Sequence, residues 1–171
     1  MEWDGIYQLE LSDFQSPETE IGNVSMYSVY TASVIDFAFN MSSGEFMFTK
    51  NFNSKVSCTF KRNAATIVAP DTAKALELLS FARFDFDLAE LYARHFRKRM
   101  FEKKGAFSDA SFFRPVYDEI QREYAARHTA AAKETEIGHD SLNLIVLHNA
   151  VKNEIEALYE FCKTCKPSKK K

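Results

Sequence analysis

The strongest constraint on the fold is a change in the spacing of apolar residues at Pro70. Before it, apolar side chains occupy alternate positions, which is the period of a β-strand whose successive side chains point to opposite faces. The alternating positions are Ile35, Phe37, Phe39, Phe46, Phe48, Phe52, Val56, Cys58 and Phe60. Ser42-Ser43-Gly44 and Asn53-Ser54 separate these runs as turns. The sequence therefore predicts an antiparallel β-meander in the N-terminal part of the chain.

After Pro70 the apolar residues follow the period of α-helices. Asp71 is suited to cap a first helix, and Asp87 with Glu90 forms a capping box for a second one. Four helices are predicted, over residues 71–83, 87–104, 111–132 and 140–165. A sheet followed by helices predicts an α+β fold in which about four C-terminal helices pack on the sheet. One domain is expected over residues 1–165, mainly β in 1–70 and mainly α in 71–165, followed by a disordered basic tail at 166–171.

Composition narrows the class of protein. Hydrophobic residues make up 46% and aromatic residues 14% of the 171 positions, which excludes a disordered chain. Only 5 glycines are present, which argues against the glycine-rich loops that wrap phosphates or cofactors. No apolar run reaches the roughly 18 residues that cross a bilayer, and the N-terminus is acidic where a signal peptide is basic. We expect a cytoplasmic protein without a membrane partner.

The three cysteines are Cys58, Cys162 and Cys165, an odd number that does not make a disulfide framework. Reduced thiols are therefore expected. Cys162 and Cys165 have the spacing of a zinc-binding pair, but a structural zinc site needs four ligands. Both sulfurs are predicted to continue the apolar stripe of the fourth helix, which favours structural thiols over a metal site or a redox pair. Neither a metal nor a cofactor is predicted.

The net charge of −2 hides a strong asymmetry along the chain. Residues 1–49 contain eight acidic residues and no Lys or Arg, whereas residues 50–70 contain four basic residues and no acid. The molecule is thus expected to be bipolar. The acidic half of one copy could meet the basic half of a second copy, and the fourth helix carries an apolar stripe that could pack on its own copy. These two features predict a homo-oligomer.

The basic stretch ARHFRKRMFEKK, residues 93–104, is the main functional candidate, because six of its twelve residues are Lys or Arg. On a helical wheel Arg94, Arg97, Lys98 and Phe101 lie opposite the apolar face. Cations neutralise phosphates and a ring stacks on a base, so this face suits single-stranded nucleic acid. The predicted contacts are Arg94, Arg97, Lys98, Arg99, Phe101, Lys103, Lys104, Lys55, Lys61, Lys169 and Lys170.

The alternative interpretation of this stretch is a solvated helix face. In that case Glu90 pairs with Arg94 one turn away, and Phe101 packs on a neighbouring element. The first hypothesis makes the chain a non-enzymatic, self-associating nucleic-acid-binding protein, with RNA included, of the packaging, protecting or sequestering kind. The second hypothesis is an adaptor or inhibitor that binds a basic partner through its acidic N-terminal segment.

An enzyme is the third hypothesis. Asp85, Asp87 and Glu90 form the one carboxylate cluster that suggests Mg²⁺ and phosphoryl or nucleotidyl chemistry. Two of these residues already have a predicted capping role. We therefore assign no catalytic residue from the sequence.

Overall fold

The computed structural model describes residues 1–38, 41–105 and 110–168. Its strands are β1 (Glu20–Ile21), β2 (Ser28–Tyr30), β3 (Ser33–Phe37), β4 (Val56–Phe60) and β5 (Thr66–Ala69). Its α-helices are α1 (Ser43–Phe48), α2 (Thr72–Lys103), α3 (Phe113–Glu134) and α4 (Ser141–Ala157). Strands therefore precede the long helices, and the predicted α+β class is confirmed.

The strands form two small sheets that cover one side of α2. One sheet has the order β1-β5-β2, in which β5 is parallel to β1 and antiparallel to β2. The other pairs β3 with β4 in antiparallel register, from Ser33 opposite Phe60 to Phe37 opposite Val56. Val56, Cys58 and Phe60 are buried while the residues between them are half-buried. The alternation read from the sequence thus holds along β4.

The middle of the predicted strand region is helical. Residues 43–48 form the short helix α1, and the Ser42 hydroxyl caps it by accepting a hydrogen bond from the Glu45 backbone N–H. Phe46 points into the core beside Phe52, whereas Phe48 is 87% exposed. Phe46 and Phe48 stand two positions apart, which is the spacing of residues on one face of a strand. Only Phe46 is buried, so the spacing did not reflect a strand here. Phe39 lies outside the described residues.

A single 32-residue helix, α2, replaces the first two predicted helices. Asp71 caps it as expected, since its carboxylate accepts a hydrogen bond from the Lys74 backbone N–H. The predicted break at Asp87 does not occur, because the Asp87 side chain bonds Trp3 and His148 and caps no helix. Apolar residues of α2 are buried on all sides of its central turns, as expected of a helix enclosed by other elements.

Helices α3 and α4 pack on the side of α2 that the sheets leave open. The turn between them needs a glycine, because Gly138 has φ of +95° and an added Cβ would lie 2.5 Å from the Glu77 carbonyl oxygen. The apolar stripe of α4 is buried in the core through Leu144, Val151 and Ile155. This stripe therefore closes the core of the monomer. Helix α4 ends at Ala157, eight residues before the predicted end at Cys165.

The position of α1 is testable with two Phe substitutions. Phe52 is fully buried, so Phe52→Asp places an unpaired charge in the core and removes ring contacts. We expect a loss of at least about 3–5 kcal/mol in the free energy of unfolding. Phe48→Asp changes an exposed side chain and should cost less than about 0.5 kcal/mol. Urea unfolding followed by circular dichroism makes the comparison, and equal destabilisation by both variants would contradict the helical assignment.

Candidate functional site

The two arginines at the centre of the predicted basic face are buried. Arg97 is 1% exposed and Arg94 is 7% exposed. The Arg97 guanidinium donates to Glu90 Oε1 at 2.8 Å, to the Phe161 carbonyl at 3.0 Å and to the Val56 carbonyl at 3.0 Å. The expectation that these arginines face solvent and contact phosphates is therefore wrong. The C-terminal segment and β4 cover the face of α2 that the helical wheel left open.

Arg94 and Glu90 complete this buried network. Arg94 Nε donates to Glu90 Oε1 at 3.0 Å, and its Nη1 donates to the Ile155 carbonyl at 2.8 Å. The i,i+4 pair of the alternative interpretation is thus present, but it is internal rather than solvated. The last carbonyls of a helix lack intrahelical partners and carry partial negative charge. Arg94 therefore holds the C-terminal end of α4 against α2.

Most of the other predicted cations also have partners within the fold. Arg99 Nη2 lies 2.6 Å from Glu123 Oε2, and this hydrogen bond holds the pKa of the Glu123 carboxyl below its ordinary value. Lys103 lies 3.4 Å from Glu119 Oε2. Two acidic residues of α3 thereby neutralise the outer side of the basic stretch.

The remaining predicted cations are dispersed. Lys104 is buried, with its Nζ 4.5 Å from the centroid of the Phe46 ring, which corrects the expectation of a solvent-facing contact. Lys61 pairs with Asp36 at 3.2 Å on the sheet, and Lys55 is half-buried. Lys169 and Lys170 lie outside the described residues. The predicted set therefore does not form one continuous surface in the described part of the chain.

A groove whose lining includes two lysines and two glutamates nevertheless lies at the C-terminal end of α2. It has a volume of about 570 Å³ and runs between α2, the residues after α1 and the C-terminal segment. Its lining includes Lys50, Lys98, Phe101, Glu102, Glu160 and Phe161. Within the described ranges, neither Lys50 nor Lys98 has a carboxylate at ion-pair distance. We call this feature the basic groove after these two lysines, although the formal charges of its lining residues sum to zero.

Phe101 forms the apolar wall of the basic groove. Its ring is half-buried, with the centroid 6.1 Å from that of Phe161 and Lys50 Nζ 5.5 Å from it. The packing on Phe161 is the neighbour contact that the alternative interpretation expected. Lys98 and Phe101 were predicted from the sequence, but Lys50 as part of this surface was missed. No local pattern reveals it, because the fold alone brings the loop after α1 to the end of α2.

The three carboxylates considered for a metal site face three different partners. Asp85 bonds Tyr124 and His128 of α3, and Asp87 bonds His148 of α4. Glu90 bonds the buried arginines. In the described parts of the chain, no three His, Cys, Asp or Glu side chains are grouped so as to hold a metal ion. The magnesium hypothesis for this cluster is therefore not supported by its geometry.

The cysteines differ from the expectation of reduced thiols. Cys162 and Cys165 form a disulfide in the turn that follows the 3₁₀ helix Tyr159–Phe161. Because α4 ends at Ala157, the two sulfurs do not continue its apolar stripe. Cys58 is free and buried, and burial raises the pKa of its thiol well above the ordinary value.

Comparison with known proteins gives no relative for this chain. No family model, curated protein or solved structure matches it. Among the described residues, no helix is long and apolar enough to cross a membrane. The function of the chain therefore has to be inferred from its own side chains and surfaces.

Adjacent residues of α2 provide a direct test of the buried network. Arg97→Gln removes one of the two buried guanidiniums that pair with Glu90, together with its bonds to two carbonyls, so the free energy of unfolding should fall by about 3–5 kcal/mol. Lys98→Gln changes a partly exposed side chain and should alter it by less than about 0.5 kcal/mol, since Gln forms helices nearly as well. Urea unfolding measures both. A stable Arg97→Gln variant would show that the arginine is not internal.

Proposed function

We propose that this chain binds a single strand of nucleic acid, RNA included, at the basic groove, without catalysing a reaction on that strand. The observation that carries the proposal is the pair Lys50 and Lys98, which flank the half-buried ring of Phe101 without a carboxylate partner among the described residues. Lys166 is exposed, and the adjacent Pro167 and Ser168 line this groove. Cations beside an aromatic ring suit a strand whose phosphates are neutralised while a base stacks.

The dimensions and chemistry of the groove agree with this ligand. Its volume lies in the range of about 300–1,000 Å³ that is typical of small-ligand pockets, which is enough for one nucleotide. Glu102 and Glu160 also line it, and their carboxylates accept hydrogen bonds from the amino groups of bases. We propose the cytoplasm as the compartment, where RNA is accessible.

Self-association is the second part of the proposal. The outer face of α4 exposes Leu142, Ile145 and Val146, which stand at i, i+3 and i+4 and so form one patch. A second copy is the occupant that we propose for this patch, since apolar side chains grouped on an exposed face mark interaction sites. Ile145→Lys should then lower the molar mass measured by light scattering to that of a monomer. A wild-type protein that is already monomeric at every concentration would contradict this part.

The adaptor hypothesis keeps one specific support. Glu10, Glu18 and Glu20 are exposed and have no basic partner among the described residues, and Ile6 is exposed near them in the sequence. The other N-terminal acids are partly used within the fold, since Glu2 pairs with Lys163, Asp13 with Arg62 and Asp36 with Lys61. The acidic surface is therefore smaller than the sequence indicates. We retain the adaptor as the alternative function.

Binding to a single-stranded oligoribonucleotide tests the main proposal. Lys50→Gln combined with Lys98→Gln removes two phosphate contacts, so the slope of log K against log salt should flatten by about 1.4, at about 0.7 per contact. Affinity at low salt should fall while the thermal unfolding curve stays unchanged. Fluorescence anisotropy at several salt concentrations gives the affinity and its salt slope, and a thermal melt gives the unfolding curve.

The matched control is Lys61→Gln combined with Lys133→Gln, which removes the same charge far from the groove. We expect its salt slope to equal that of the wild type. If both double variants reduce binding equally, the attraction is general rather than located in the groove. If the wild type does not bind at about 0.15 M salt, the adaptor hypothesis replaces the proposal.

A further inference from the structure

A second cavity lies on the opposite side of α2 from the basic groove. It is an open cleft with a volume of about 250 Å³, between the connection of β2 and β3 on one side and α3 on the other. Its lining is Val29, Tyr30, Thr31, Ala32, Ser33, Tyr124, Ala125, His128 and Thr129. No Lys, Arg, Asp or Glu is among these residues. The cavity therefore suits an uncharged molecule that accepts hydrogen bonds.

A buried carboxylate binds three of the residues that line this cavity. Asp85 is fully buried, and its Oδ1 accepts from Tyr124 Oη at 2.7 Å and lies 2.7 Å from His128 Nδ1. Its Oδ2 accepts from the Thr31 hydroxyl. Two elements, α3 and the connection between β2 and β3, thus converge on one side chain of α2. The carboxylate has partners on both oxygens, which fixes the orientation of the imidazole.

His128 is the reactive group of this arrangement. Its Nδ1 is bound to Asp85, the side chain is about one-third exposed, and Nε2 has no partner among the described residues. The hydrogen bond to Asp85 raises the pKa of His128, and the charge of Asp85 adds to this effect against the opposing effect of burial. An imidazole that is held at Nδ1 by a buried carboxylate and belongs to a residue lining a cavity is suited to act as a general base.

We propose that this cavity is a hydrolytic site for small, uncharged esters, in which His128 acts as general base toward water. Neutral His128 Nε2 takes a proton from a water molecule while the water oxygen forms a bond to the ester carbonyl carbon. The ester C–O bond then breaks, and the imidazolium returns its proton to the leaving alkoxide. Water and ester give an acid and an alcohol, so no oxidant or cofactor enters the step.

Two features of the cavity wall support a functional rather than a purely structural role. Ala32 is buried and has φ of +48°, a left-handed backbone conformation that costs free energy for a non-glycine residue. The Ser33 Oγ is buried without a hydrogen-bond partner in the described part of the chain. A buried hydroxyl without a partner costs free energy, so both features are strained parts of the wall beside the cavity.

Hydrolysis of para-nitrophenyl acetate tests the proposal. The wild type should show saturable turnover, and His128→Gln should lower kcat/KM by about 100-fold, the lower end of what a general base contributes. His139→Gln is the control, because His139 pairs with Glu77 at another place in the fold. A rate that is linear in ester concentration and equal in both variants would overturn the proposal, since it indicates reaction with surface histidines.

The pH dependence separates catalysis from a structural role of the Asp85 pair. The titratable groups that face the imidazole are Asp85 on α2 and Tyr124 on α3, while the strand connection contributes the hydroxyl of Thr31. Activity should rise with pH as His128 loses its proton. Asp85→Asn should move the midpoint of this rise to lower pH. Tyr124→Phe, which keeps the ring, should leave activity within tenfold of the wild type. An unchanged midpoint in folded Asp85→Asn would contradict the role of His128.

Discussion

The buried network of Glu90, Arg94 and Arg97 is the interaction on which the rest of the structure depends. Moving a charge out of water costs several kcal/mol, and the cost is offset only when the charge is paired and hydrogen-bonded. Here one carboxylate faces two guanidiniums, which also donate to carbonyls of β4, α4 and the C-terminal segment. Removal of Glu90 leaves two buried guanidiniums without an opposite charge, and removal of either arginine leaves buried carbonyls without their donor. The network thereby joins elements that are distant in sequence.

The same helix fixes the other elements through Asp85 and Asp87. Within six positions of α2, Asp85 holds α3 and the connection between β2 and β3, Asp87 holds Trp3 and α4, and Glu90 holds the arginines. Each carboxylate leaves the helix in a different direction because 100° separates successive residues. A run of acids that resembles a metal site is instead the set of attachment points for the surrounding chain.

The sequence predicted the elements whose determinants are local. The α+β class, the alternation along β4 and the cap at Asp71 depend on spacing or on one side chain near its own backbone. The prediction failed where residues distant in sequence determine whether a side chain is buried. A helical wheel shows which residues share a face of α2 but not what covers that face. Arg97 was therefore predicted to be solvent-exposed, although its guanidinium donates hydrogen bonds to the Val56 and Phe161 carbonyls inside the fold. Of the site, Lys98 and Phe101 were predicted, whereas Lys50 and the His128 cavity required the fold.

These assignments divide the cations of the basic stretch into internal residues and groove residues. The central claim is that Arg94 and Arg97 are structural and do not contact the ligand. Nuclear magnetic resonance of the arginine Nε–H groups tests it, with and without a saturating single-stranded oligoribonucleotide. We predict that both groups exchange slowly with solvent and keep their chemical shifts when the oligonucleotide is added. Rapid exchange of both groups, with shifts that change on addition of the oligonucleotide, would contradict the account.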